Sequence, residues 1–288
     1  MFAHAFVRNA YLAGTFIALA SGCVGWFVVA RGQLFAGDAL GHVAFVGAIG
    51  AAVVGLDERV GLFALTLVLA AAMAGLGERG RADDAAIGTV FAWILGIGVL
   101  LIALLATSEL GGAGVTTANT LFGSIYSLST GESWLAAAIA LTVTIAVAVA
   151  TRPLLLATID AEQASARGVP VKLLGLGILL ALAAVTAEGT QAVGALLILG
   201  LLSAPAGAAH RLTANPYAGV VISSLIAVAA TWGGLALSYS ISSLPPSSAI
   251  IGLAGGAFAV AAGADRLRKW RTGERRRRES WPGRRRIL

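Results

Sequence analysis

Asp38 and His42 stand four residues apart in Gly37-Asp38-Ala39-Leu40-Gly41-His42, a spacing that on a helix puts a carboxylate and an imidazole on one face. A carboxylate so placed orients the imidazole through one ring nitrogen and leaves the other to take a divalent cation or a proton. A transient metal site is one reading of the pair. The other is structural, with Asp38 as the N-cap of a helix and His42 as a hydrogen-bonded interior side chain. Glu188, in Thr186-Ala187-Glu188-Gly189, is a second candidate, because an acidic group at membrane depth is costly. Its position at the glycine-marked close of an apolar run reads equally as an interfacial charge. Glu109 and Glu132 read as solvated loop charges, and His210, beside Arg211, as an interfacial residue.

Several chemistries are excluded. The only lysines, Lys172 and Lys269, lack the G-x-x-x-x-G-K-[ST] setting, so the chain does not cradle ATP in a P-loop and any use of ATP belongs to a partner. There is no H-E-x-x-H, no C-x-x-C and no G-x-S-x-G, and His4, His42 and His210 are far apart, which leaves no zinc hydrolase and no serine hydrolase to argue. The single cysteine, Cys23, lies in an apolar run and reads as packing. No enzymatic activity of its own and no permanently bound cofactor are expected.

The elements that must position these groups are membrane helices. Of 288 residues, 58% are hydrophobic and 12% charged, about half the charge of a soluble domain, with a mean hydropathy of +0.88. Apolar runs bounded by charges and Gly/Pro clusters predict spans at roughly 10–30, 39–56, 60–77, 86–107, 134–151, 173–188, 192–209, 217–239 and 247–264. The fold class is therefore an all-α polytopic membrane protein of about 8–9 transmembrane helices with short or re-entrant helices. Its Ala/Gly content favours close helix contacts. The first run continues without a leader-type cleavage pattern and reads as a mature span. Between Ser108 and Ser133, the short patch Leu121-Phe122-Gly123-Ser124-Ile125 predicts a re-entrant or surface helix, and Pro245-Pro246 a rigid loop.

Charge sets the orientation. Residues 265–288 hold eleven Lys/Arg against three Asp/Glu, and are expected to form a disordered basic cytoplasmic tail on anionic lipid, not a nucleic-acid site. Counting back through nine spans from an inside tail places Arg31, Arg79, Arg81, Arg152, Arg167, Lys172 and Arg211 inside, with only Arg8 and Arg59 outside. Residues 1–264 then form the transmembrane domain. The segment 153–172, with an acidic start at Asp160 and a Gly168 stop before Pro170, is its largest inside loop and a natural docking surface for a motor.

Five ordered motifs resemble one family, the membrane permeases of bacterial ABC importers for zinc, manganese and iron. Gly37 to His42 is similar to G-D-A-L-S-H, with Gly41 for the usual serine. Asp84-Ala85-Ala86-Ile87-Gly88 resembles D-T-A-I-G, and Leu121 to Ile125 matches L-F-G-S-I. Asp160 to Pro170 resembles D-x-E-x-A-x-x-x-G-V-P, and Gln191 to Leu197 with Ala204-Pro205-Ala206 resembles the next paired-span motif. The chain departs from the pattern at Val46-Gly47, where proline-glycine is usual, at Glu188, where a neutral residue is expected, and in its basic tail.

The resemblance implies a homodimer, a separate ABC ATPase that binds ATP, and an extracellular solute-binding protein that delivers metal or metal chelate. It also implies that Asp160, Glu162, Ala164, Gly168, Val169 and Pro170 couple the permease to the ATPase, and that Asp38 and His42 face the pathway in the plasma membrane. The alternative is an ion- or proton-coupled secondary transporter using Asp38, His42 and Glu188, which the absence of a P-loop permits.

Overall fold

The computed structural model describes residues 4–76, 84–107, 123, 125–195, 198–241 and 243–279. Among these the chain is helical: α1 Ala5–Ala30, α2 Leu34–Val53, α3 Glu58–Leu76, α4 Asp84–Thr107, α5 Thr130–Val149, α6 Thr151–Ile159, α7 Ala161–Ala166, α8 Val171–Ala192, α9 Ile198–Leu212, α10 Pro216–Ser240 and α11 Pro246–Glu279, with a single 3₁₀ turn at Ile125–Ser127 before α5. Eight of the described helices are long and apolar enough to cross a membrane. The ninth predicted span is α9, only 15 residues long and starting six residues later than expected.

Local chemistry sets the helix ends. Gly32 adopts φ 69°, which lets its N–H and that of Gln33 turn back to the carbonyls of Val29 and Val28 and close α1. Ser129 and Glu132 form a capping box on α5, so Glu132 is a capping side chain and not the loop charge expected of it. Asn215 caps α10, with Pro216 in its first turn.

Helix α1 is the axis of the bundle, flanked by α5, α9 and α10. At Gly22 a Cβ would stand 2.5 Å from Ser224 Cα, so only glycine lets α10 lie this close, and Ser223 Oγ donates to the Gly22 carbonyl at 2.7 Å. At one end of the bundle Asn9 bonds Leu128 and Thr130, and Trp232 donates to Thr15. At the other end His210 stacks on Trp26 and Arg211 approaches Asp265. Helix α5 starts beside the start of α1 and packs along it, which brings α6 and α7 to the Trp26 end.

One further boundary differs from expectation. Helix α11 runs past Ala264 to Glu279, because Arg, Lys and Glu are good helix formers and continue the span as helix where a disordered tail is expected. The predicted re-entrant patch falls largely outside the described residues. Of it, Gly123 (φ 74°) lies against the backbone of Val193 and Gly194, and Ile125 opens the 3₁₀ turn.

Candidate functional site

Helix α2 begins at Leu34 with Gln33 as its N-cap, so Asp38 sits one turn inside the helix and caps nothing. The capping interpretation therefore loses its geometry. The start signal it relied on, an aspartate before an apolar run, lies downstream of the true start because Leu34, Phe35 and Ala36 already belong to the helix. Asp38 and His42 are both half-buried, and among the described residues no hydrogen bond joins them. The His42 ring lies 5.3 Å from that of Phe91 on α4, and Phe91 in turn meets Phe35 edge-on, so an aromatic wall stands beside the pair.

The backbone opposite α2 is broken. Helix α8 ends at Ala192, Gly194 takes φ 103°, and α9 resumes at Ile198. This break lies inside the bundle, not at its edge: a Cβ on Gly41 would stand 3.1 Å from the Ala195 carbonyl oxygen and 3.5 Å from Ile198. Gly41 thus gives the broken segment room that a serine would crowd. Irregular backbone at membrane depth is tolerated where protein or a watery cavity covers it, and here it sits beside His42.

Glu188 is not at the close of its span. It lies four residues before the end of α8, is 1% exposed, and its two carboxylate oxygens accept from Arg59 Nη2 at 2.7 and 2.9 Å. Arg59, counted in the sequence only as an outside charge, was the missed partner. An arginine two residues into an apolar helix was the available signal, since such groups seldom stay unpaired. Ala187 packs with Ala44 and Ala48 of α2 and Leu62 of α3. Asp38 and His42 project about 120° around α2 from that contact at 100° per residue, so the structure does not bring Glu188 together with them.

At the Trp26 end, Asp160 caps α7 by accepting from the backbone N–H groups of Glu162 and Gln163 at 3.1 and 2.9 Å. Gly168 (φ 79°) ends it, with the Val169 N–H returning to the Ala164 carbonyl, and Pro170 leads into α8. Ala164 is buried against Ala157 and Val171, while Glu162 is exposed beside an open cavity of about 490 Å³ lined also by Ser165 and Lys172. The result is a rigid two-helix knob rather than a linker. Among the described residues no three His, Cys, Asp or Glu side chains converge as a metal cluster.

Comparison with known proteins gives this arrangement its relatives. The chain is 27% identical over 264 residues to the manganese transport system membrane protein MntC of Halalkalibacterium halodurans, covering 91% of this chain and 88% of that one. It is 26% identical to a protein of Haemophilus influenzae named "Probable iron transport system membrane protein", over 81% and 84% of the two chains. The fold matches a chain of PsaBC from Streptococcus pneumoniae with a TM-score of 0.77 at 24% identity, covering 90% and 91%. Residues 3–264, which hold the α6–α7 knob and all of the described spanning helices but the end of α11, match the ABC 3 transport family, and the chain belongs to that family.

Proposed function

We propose that the chain is the permease subunit of an ATP-driven importer that moves a divalent metal ion, manganese or iron foremost, or a chelate of one, into the cell, with Asp38 and His42 lining the path. The observation that carries this reading is the placement of the pair: half-buried inside α2, free of a capping role, and level with a break in the backbone between α8 and α9. Family membership supports the transport role, and the relatives' cargo supports a metal.

The remaining assignments follow from that reading. A separate ABC ATPase binds the ATP and grips the knob formed by Asp160, Glu162, Ala164, Gly168, Val169 and Pro170. A solute-binding protein delivers cargo at the Asn9 end, two copies of the chain make the pore, and the Trp26 end with the basic helix faces the cytoplasm of a bacterial cell. Closure of the ATPases biases the bundle only if the knob makes different contacts in the two states.

Uptake of radioactive manganese by cells carrying variants tests the path. Asp38→Ala and His42→Ala should each abolish most uptake at unchanged protein level, and the double variant should be little worse than either, since groups forming one site are not additive. Normal uptake by Asp38→Asn combined with His42→Ala would remove the pair from the path.

A further inference from the structure

One turn inward of Asp38 on the same face of α2 is Leu34, and Leu34 lines a cavity of about 480 Å³ with Val29, Ser203, Ala204, Gly207, His210, Arg211 and Phe258. His42, Asp38 and Leu34 thus descend α2 in four-residue steps, each about 6 Å along the axis, and the descent ends in this cavity at the Trp26 end. We propose that the cavity is the inner station of the cation path and that His210 is its metal-ligating side chain. The inference rests on the pathway reading of Asp38 and His42.

Three features of His210 fit that task. Its Nε2 lies 3.2 Å from the Trp26 carbonyl oxygen, which can only accept, so Nε2 carries the proton and Nδ1 of the neutral ring keeps its lone pair for a cation. A metal-binding imidazole typically donates its other N–H to a carbonyl, and this bond, with the stack on Trp26 at 4.7 Å, fixes the ring. The residue is exposed, so water and cargo reach it.

The surroundings set weak binding. The other polar groups of the cavity are Ser203 and the Arg211 guanidinium, which sits 5.2 Å above the Phe258 ring and 3.9 Å from Asp265. One imidazole with a neighbouring positive charge cannot hold a divalent ion tightly, and a release site must bind weakly enough to let the ion leave. Asp265, bonded to Lys269 at 2.7 Å, stands farther from Arg211 and offsets only a small part of its charge.

Trp26 supplies a reporter that is independent of transport. In the purified full-length chain, Mn²⁺ should quench a saturable part of the fluorescence that is missing in Trp26→Phe. His210→Gln keeps a donor for the Trp26 carbonyl and should weaken that quenching about tenfold or more, since even losing a partner of a ligand costs that much. In cells, His210→Gln should lower maximal uptake about fivefold while the half-saturating metal concentration stays within about twofold, because release and not capture is slowed. Unchanged quenching, unchanged uptake, or a Trp26 signal that answers phosphatidylglycerol but not Mn²⁺ would each overturn the inner station. If His42→Ala stops uptake while His210→Gln is normal on both readouts, the inner station alone falls. If neither variant changes uptake, the pathway reading has failed.

Discussion

The two ends of the Arg59–Glu188 pair should be unequally replaceable, because they are unequally sealed: the Glu188 side chain is 2% exposed and that of Arg59 14%. Arg59→Met leaves a carboxylate locked between α3 and α8 without its partner, which should destabilise the protein by about 3–5 kcal/mol, the range for breaking a buried ion pair. Glu188→Gln retains an oxygen for Nη2, and the freed guanidinium sits at the start of α3 beside the exposed Asp57, toward which it can turn. That variant should lose about 1–2 kcal/mol. Arg59→Met with Glu188→Leu exchanges the pair for apolar groups and should lie near wild type, within about 1 kcal/mol. Chemical denaturation of the four proteins in one detergent gives the cycle. The reasoning is refuted if Arg59→Met is no worse than Glu188→Gln, or if the double variant is as damaged as the sum. Metal uptake by the double variant also decides the role of Glu188 itself: normal uptake makes it a tie between α3 and α8, and lost uptake returns it to the path.

Replacing Glu162 with Lys, or Gly168 (φ 79°) with Val at a strain of about 1–2 kcal/mol, should reduce copurification of the ATPase while the chain still inserts in the membrane; full copurification would separate the knob from coupling. Gly22→Leu pushes a side chain into Ser224 Cα, 2.5 Å from the Cβ position, and should destabilise the α1–α10 contact by more than about 2 kcal/mol in the same denaturation assay. With Cys23 replaced by serine, a cysteine at position 280 should label only from the cytoplasm and one at Pro245 only from outside; labelling of both from one side would mean that α9 does not complete a crossing.

Most of the architecture was legible because bilayer helices announce themselves by length and hydropathy, and eight of the predicted spans are long apolar helices here. What failed was local. Asp38 resembled a cap because charge was taken to mark the start of α2, whereas Gln33 does so with no side-chain hydrogen bond at all. Glu188 resembled an end because Gly189 follows it, yet Gly189 leaves room for Ile198 of α9 and the helix runs on to Ala192. The second error has a general cause. In a bundle, glycine records a close approach as often as a stop, and a single sequence does not show which helix approaches. Arg59 in an apolar helix signalled a need for a partner, but a single sequence does not pick out Glu188, 129 residues away, as that partner.

The short α9 ties these observations together. A helix of 15 residues rises about 22 Å, too little for a bilayer core of about 30 Å, and the turn at Val193, Gly194 and Ala195 before it puts irregular backbone inside the bundle. Within a membrane, irregular backbone persists only against protein or water. Gly41 provides the space, the Ala195 carbonyl occupies it, and His42 is the next residue along. The far end of the same half-helix carries His210, about 18 Å away along its axis at 1.5 Å per residue. One broken element therefore touches both the Asp38–His42 level and the cavity at the Trp26 end. A rigid shift of α9 against α2 would then change the two stations together, which is what a path that must close at one end as it opens at the other requires.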